Sequence, residues 1–223
     1  MVADEWIVLN GARRLTIRAL IVAAALMISA SSFADEPGIC LVQAARDQIG
    51  VTTLYDPAYR RLPYPNGDVP RERGVCTDVV VRTYRAFGID LQRLVHEDMK
   101  GAWPKYPKLW GLTRPDTNID HRRVPNLATY FARHGQKLST TSDPSIYKPG
   151  DLVTWRLNSG VPHIGIVADG YAPSGVPLVI HNIGAGTREE DILFSFEITG
   201  HYPFIPQTPI RCREEVGAGA SAE

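Results

Sequence analysis

Near its midpoint the chain changes rhythm: apolar residues that recur every three or four positions give way to short apolar runs cut by glycine and proline turns. Leu152-Val153-Thr154-Trp155 follows the turn Lys148-Pro149-Gly150-Asp151, and His163-Ile164-Gly165-Ile166-Val167 follows Ser159-Gly160-Val161-Pro162. Leu178-Val179-Ile180-His181 follows a further Gly/Pro turn, and Ile192 to Ile198 follows a glycine-rich loop. Connections this short join antiparallel neighbours, since a parallel pair needs a long crossover. Upstream, the spacing predicts a helix over Ile39–Ile49 stopped by Gly50, and a second from Cys76 through Val79, Val80, Tyr84 and Phe87 to Gly88. A third opens at Pro125 and runs to His134-Gly135. Between them, Tyr55 to Arg73 and Asp90 to Val124 carry aromatics and prolines and are expected to be irregular. Helices first and a meander afterwards predict an α+β fold, with N-terminal helices packed on an antiparallel sheet.

The first residues are of another kind. Arg13, Arg14 and Arg18 precede the apolar run Ala19–Ile28, and small residues come after it, ending Ser32-Phe33-Ala34. This is the pattern of a secretory signal peptide, so residues 1–34 are predicted to be removed after Ala34. The apolar run is about half the roughly 20 residues that span a bilayer. Stable membrane insertion after cleavage is therefore not expected, an uncleaved anchor being the alternative. Residues 35–215 are expected to form one domain, with a fraying Gly/Ala-rich tail at 216–223, exported to the periplasm or secreted and monomeric. Composition (44% hydrophobic, 22% charged) excludes wholesale disorder and collagen-like or coiled-coil chains. With 24 basic against 24 acidic residues there is no basic field to attract nucleic acid.

Export bears on the three cysteines. In an oxidising compartment two should pair. Cys40 and Cys212 flank the domain, whose termini are expected to lie close, and they form the predicted disulfide. Cys76 is left as a free thiol at the start of a helix, where unpaired N–H groups and the positive end of the macrodipole favour thiolate and lower its pKa. A base need not be near in sequence. His163 opens a strand after a polar turn, and the next strand ends at His181, so one ring can orient the other. Taken singly, each residue has a plainer alternative: a buried small cysteine, a satisfied core histidine, a strand end. Zinc binding by the two histidines lacks a third ligand, and no cofactor is expected.

Gly150–Trp155, Pro162–Val167 and Val179–His181 resemble the second half of NlpC/p60-type cell-wall peptidases, which have a minimal papain-like fold and the order Cys, His, polar residue. Val75-Cys76-Thr77-Asp78, with Gly88-Ile89-Asp90-Leu91 after its helix, resembles their nucleophile segment. The helix ending Ile49-Gly50, with Tyr55 beyond it, also matches. His96-Glu97-Asp98-Met99, Asn118 to Asn126 and His181-Asn182-Ile183-Gly184 resemble, more closely, a bacterial family known only as domain of unknown function 1287, over roughly residues 40 to 205.

The resemblance implies a cysteine hydrolase, an amidase or endopeptidase acting on peptidoglycan peptides. In it Cys76 is nucleophile, His163 general base and then acid, and His181 the residue that orients His163. The superfamily's usual Asp-Cys-Ser-Gly is replaced here, so its bond specificity does not carry over. Tyr55, Thr77, Asp78, Asp120, Arg122 and Asn182 are the predicted substrate contacts, Asp120 serving equally as a helix cap and Arg122 as part of a solvated turn. His96-Glu97-Asp98 reads as a surface loop rather than a metal motif. Two alternatives use the same fold: a non-catalytic envelope-binding module, and an acyltransferase built on the same cysteine.

Overall fold

In the computed structural model, which describes residues 37–205 and Cys212, the helices follow the apolar spacing with one addition. Helix α1, Pro37–Arg46, buries Cys40, Leu41, Val42 and Ala45 on one face. Helix α2, Cys76–Arg85, buries Val79, Val80 and Tyr84, and the Asp78 carboxylate takes the Val75 N–H at 2.7 Å, satisfying a donor at the helix start. Helix α3, Leu91–Gly101, falls where an irregular segment was expected. Asp90 caps it by accepting the Gln92 N–H at 3.0 Å, and Leu91, Val95 and Met99 give it a buried stripe. That stripe is interrupted by so many charged residues that only its caps announce it, and the prolines come after its end. His96-Glu97-Asp98 therefore lies on a helix, not in a loop. Helix α4, Val124–His134, starts with Pro125 in its first turn.

Two short strands, β1 (Leu54–Tyr55) and β2 (Arg73–Gly74), pair in parallel within the expected first loop. The main sheet contains β3 (Leu152–Arg156), β4 (Pro162–Tyr171), β5 (Pro177–His181), β6 (Arg188–Glu190) and β7 (Glu197–Tyr202) in the order β6-β5-β4-β3-β7, every pair antiparallel. The α+β class stands, with four helices among the described residues and a five-stranded sheet. The single strand expected over Ile192–Ile198 does not form. Instead β6 ends at Glu190, and residues 192–196 turn so that β7 lands on the opposite edge, beside β3. Leu193 makes that detour favourable: it is fully buried, and its carbonyl accepts the Trp155 indole N–H at 2.9 Å.

Strand periodicity separates two apolar faces. Leu152, Ile164, Ile166 and Ile180 pack with Val79, Val80, Leu127 and Phe131 of the helices. Val153, Trp155, Val167 and Val179 pack with Tyr147 and Leu193 on the other side. Both faces are covered, which is why β3 to β5 read as continuous apolar runs.

A disulfide joins Cys40 of α1 to Cys212, closing the chain over a separation of 172 residues. The predicted signal segment (1–34) and tail (216–223) lie outside the described residues. Among the described residues no helix is long and apolar enough to cross a membrane. A loop of this length confines the unfolded chain, so Cys212→Ser should cost up to about 5 kcal/mol. Urea unfolding of the two proteins without reductant measures this, and coincident curves would remove the disulfide from the account of stability.

Candidate active site

Cys76 is the first residue of α2, and its thiol is free. Only 5% of the residue is exposed, and that part lines a cavity of about 150 Å³ shared with Tyr55, Val75, Trp110, Arg122 and Pro162. The backbone N–H groups of Ile164, Thr77 and Cys76 itself lie near the sulfur and favour its charged form. Ile164 comes directly after His163, so the start of α2 reaches the sheet one residue away from that imidazole in sequence. The β4–β5 register, with Ile166 opposite Ile180, carries Ile164 past the end of β5, which leaves its N–H for the sulfur.

His163 is held on one side by Trp155, its cross-strand partner in β3, with ring centroids 5.8 Å apart. Its Nε2 lies 3.0 Å from Nδ1 of His181, the last residue of β5. Nε2 of His181 lies in turn 3.0 Å from Oε2 of Glu190 on β6. The relay therefore crosses three adjacent strands. Gly165 makes room for it: a Cβ there would lie 2.6 Å from Val179 Cγ1 and 3.2 Å from His181 Cβ, forcing β5 away. Glu190 was not among the predicted residues. It is separated from His181 by a glycine-rich loop, and only the pairing of β5 with β6 brings it diagonally across to the ring.

The direction of each proton in the relay is set by what each group can do. The Glu190 carboxylate only accepts, so His181 donates from Nε2. A neutral His181 then has a bare Nδ1, which must accept from the His163 Nε2–H. A neutral His163 is left with its lone pair on Nδ1, the nitrogen a base would use. Both rings are neutral at ordinary pH. Burial, reinforced by His181, pushes His163 down to about 3, and burial lowers His181 despite Glu190.

The thiol departs from the expectation of a depressed pKa. Burial pushes Cys76 up to about 12, and the nearby Asp78 charge adds to this against the three backbone N–H donors. A helix start favours thiolate, but here desolvation outweighs it. At rest the thiol and the imidazole are each neutral. Even at about 4 Å, a thiolate and an imidazolium would gain about 4 kcal/mol at an effective dielectric of 20, worth about three pKa units. That does not bridge a thiol near 12 and an imidazole near 3.

The other predicted residues divide. Tyr55 lines the Cys76 cavity from β1. Asp78 and Arg122 hold each other in a buried bidentate pair, 2.9 Å at both contacts, and Arg122 also donates to the Ala58 and Asp56 carbonyls. Their polar atoms are largely occupied in joining α2 to the segment before α4, although Arg122 borders the cavity. Asn182 donates to the Gly74 carbonyl at 3.1 Å and fastens the end of β5 to β2. Thr77 is buried with its hydroxyl unpartnered. Asp120 is fully buried away from the Cys76 cavity, where it takes His96 Nδ1 at 2.9 Å and the Asp116 N–H at 2.7 Å. It does not cap α4. Both ring nitrogens of His181 are committed to protein partners, which leaves neither for a zinc ion.

Comparison with known proteins adds a family. Residues 42–204 match the family model described as "Domain of unknown function (DUF1287)". A relative from Escherichia coli (strain K12), "Uncharacterized protein YijF", is 57% identical over 166 residues, 74% of this chain and 81% of that one. Among solved structures, "Structure of NlpC1 from Trichomonas vaginalis" is similar with a TM-score of 0.42 at 13% identity, covering 78% of this chain and 45% of that one.

The buried rings and the buried thiol each imply a pH dependence. The imidazoles of His163 and His121 are both pushed down to about 3 from an ordinary 6.5. Between those values the unfolded chain binds protons that the folded chain does not, so stability is full above 6.5 and is lost as pH falls. Melting temperature should drop steadily from pH 7 to pH 4, and a flat profile would contradict neutral buried rings. Alkylation of Cys76 by iodoacetamide should be slow at pH 7 and accelerate above pH 9, whereas the urea-unfolded chain should reach its plateau earlier. Rapid labelling at pH 6 would show a thiolate instead.

Proposed function

The chain belongs to the DUF1287 family, and we propose that it is a thiol hydrolase that cleaves an amide bond in peptidoglycan peptides, with Cys76 as nucleophile and His163 as base. The observation that carries this reading is the Glu190–His181–His163 relay, which directs the lone pair of a buried imidazole to Nδ1. The free thiol bordering a cavity beside strand β4 supports it. So does the N-terminal pattern of arginines, apolar run and small residues, which suits export to the compartment where such substrates lie.

The chemistry starts from neutral groups. As the sulfur attacks the carbonyl carbon, its proton passes to His163 Nδ1, and thiolate and imidazolium need not exist separately in a dry site. The carbonyl oxygen gains negative charge, which the backbone N–H of Cys76 at the helix start would receive. The C–N bond then breaks as imidazolium returns its proton to the departing amine. Water adds to the thioester, giving a proton to His163 Nδ1, and collapse releases the acid and restores the thiol. An acyltransferase would take the same path with an amine in place of water.

One observation favours a non-catalytic envelope-binding module: the thiol is nearly closed off and strongly disfavours its charge. The variants separate the readings. Cys76→Ala and His163→Ala should abolish release of peptide fragments from purified peptidoglycan, and undiminished release by Cys76→Ala would end the thiol mechanism. Glu190 is a positioning residue. In Glu190→Gln the amide N–H can face His181 Nε2 and reverse both tautomers, leaving the proton of His163 on Nδ1. A loss in kcat on the order of 10²-fold or more is expected, with KM little changed, by analogy with tautomer reversal in other triads. Unchanged kcat and pH profile in Glu190→Gln would remove the relay from the mechanism.

A further inference from the structure

A second cavity, about 690 Å³, lies between α4, the turn after α3 and strands β3 and β7. It meets the Cys76 cavity at Val124 and Pro162, which line both. Pro162 precedes His163, and Trp155, whose ring packs on His163, forms part of the larger cavity's wall. A chain lying in this groove would therefore be led over Pro162 to the sulfur.

Charge is distributed unevenly along the groove. Lys105, Arg133, Lys137 and Arg156 line the larger cavity and Arg122 and Arg123 the smaller, while no aspartate or glutamate lines either. The whole sequence has 24 of each sign, so the segregation is local. Two of the cations are matched: Arg122 by Asp78, and Arg133 by Asp98 at 2.8 Å. The nearest carboxylate to Arg156 is Glu197 at 3.7 Å, between exposed side chains. Among the described residues no acidic group lies within ion-pair distance of Lys105, Lys137 or Arg123; Arg123 donates to the Leu109 carbonyl, stands over the Trp110 ring and helps hold the Asp116 carboxyl below its ordinary pKa. Unmatched charges of one sign in a cleft with apolar walls concentrate a positive potential there.

From this we infer that the groove binds the substrate through carboxylates spaced along a peptide. The inference rests on the thiol-hydrolase reading and names the substrate class for that site. Lys105 lies just after α3, Lys137 just after α4, and Arg156 ends β3, so the three cations reach one cavity from separate elements. Carboxylates are the anions that a peptide substrate itself carries, and a phosphate site is the competing outcome of the test. A neutral peptide would leave these charges without a partner.

Binding can be tested without turnover, using the full chain carrying Cys76→Ala. The probes are fluorescently labelled muropeptides released from peptidoglycan by glycan cleavage, and the same muropeptides with their carboxylates converted to methylamides. Anisotropy titration at low salt should show the carboxylate form binding at least tenfold more tightly, with the difference shrinking in high salt. Adding Lys105→Gln and Lys137→Gln should weaken the carboxylate probe by about two- to fivefold per lost pair and leave the methylamide probe unchanged. Equal affinity for both probes, no binding of either, or indifference to the two lysine substitutions would overturn the proposal. Displacement by inorganic tripolyphosphate at lower concentration than by the unlabelled muropeptide would also overturn it, in favour of a phosphate site. The two readings fail separately: release of fragments by Cys76→Ala ends the thiol mechanism whatever the probes do, and the probes can fail while Cys76 remains essential.

Discussion

The hydrogen-bond chain from Glu190 through His181 to His163 depends on three antiparallel strands keeping their register. Neighbouring strands stand about 4.8 Å apart, and each strand contributes one polar side chain on the same face, so each interstrand step is spanned by one hydrogen bond. A side chain at position 165 would press on Val179 and His181 of β5, which is why glycine lies there. A one-residue slip of β5 would turn His181 to the helix side of the sheet and leave Nε2 of His163 without its acceptor and Glu190 without its donor. The tautomer of His163 is thus a consequence of sheet pairing.

Around this relay the interior avoids isolated charge. Asp78, which satisfies the start of α2, is neutralised by Arg122, and Arg122 spends further donors on two carbonyls of the loop before β2. Asp151 at the start of β3 meets His201 of β7 at 2.6 Å. These pairs cost desolvation and give little net stability, but removing one partner would strand a charge in the interior. Their contribution is to join elements far apart in sequence at defined places. The thiol and imidazole obey the same logic in the resting state, since neither is charged. In the proposed reaction, charge separation arises only when the proton moves. The groove differs: its cations stay exposed and several are unmatched, a condition that costs little in water and becomes favourable only when an anion arrives.

Much of the site was readable from residue types and order. A lone cysteine opening a helix, a histidine opening a strand and another closing the next strand are local features, because helix and strand periodicity are set by which side chains must leave water. The same holds for the α+β class and for strands β3 to β5. Helix α3 was hidden by charged residues interleaved with Leu91, Val95 and Met99. Ile192, Leu193, Phe196 and Ile198 have the composition of a strand, but Leu193 closes over Trp155 in a turn instead.

What the sequence determined by itself was therefore short-range: where the backbone would be helical or extended, which cysteine lay apart from the domain ends, and which imidazoles would sit at strand ends. Tertiary structure decided the quantities that depend on distant neighbours. Glu190 became part of the relay through β5–β6 pairing, Asp78 and Arg122 were consumed by each other, and the thiol expected to ionise was held neutral by enclosure. The physical reason is one of range. Propensity and periodicity act over a turn of helix or a pair of residues, while desolvation and charge pairing are summed over every group the fold brings near.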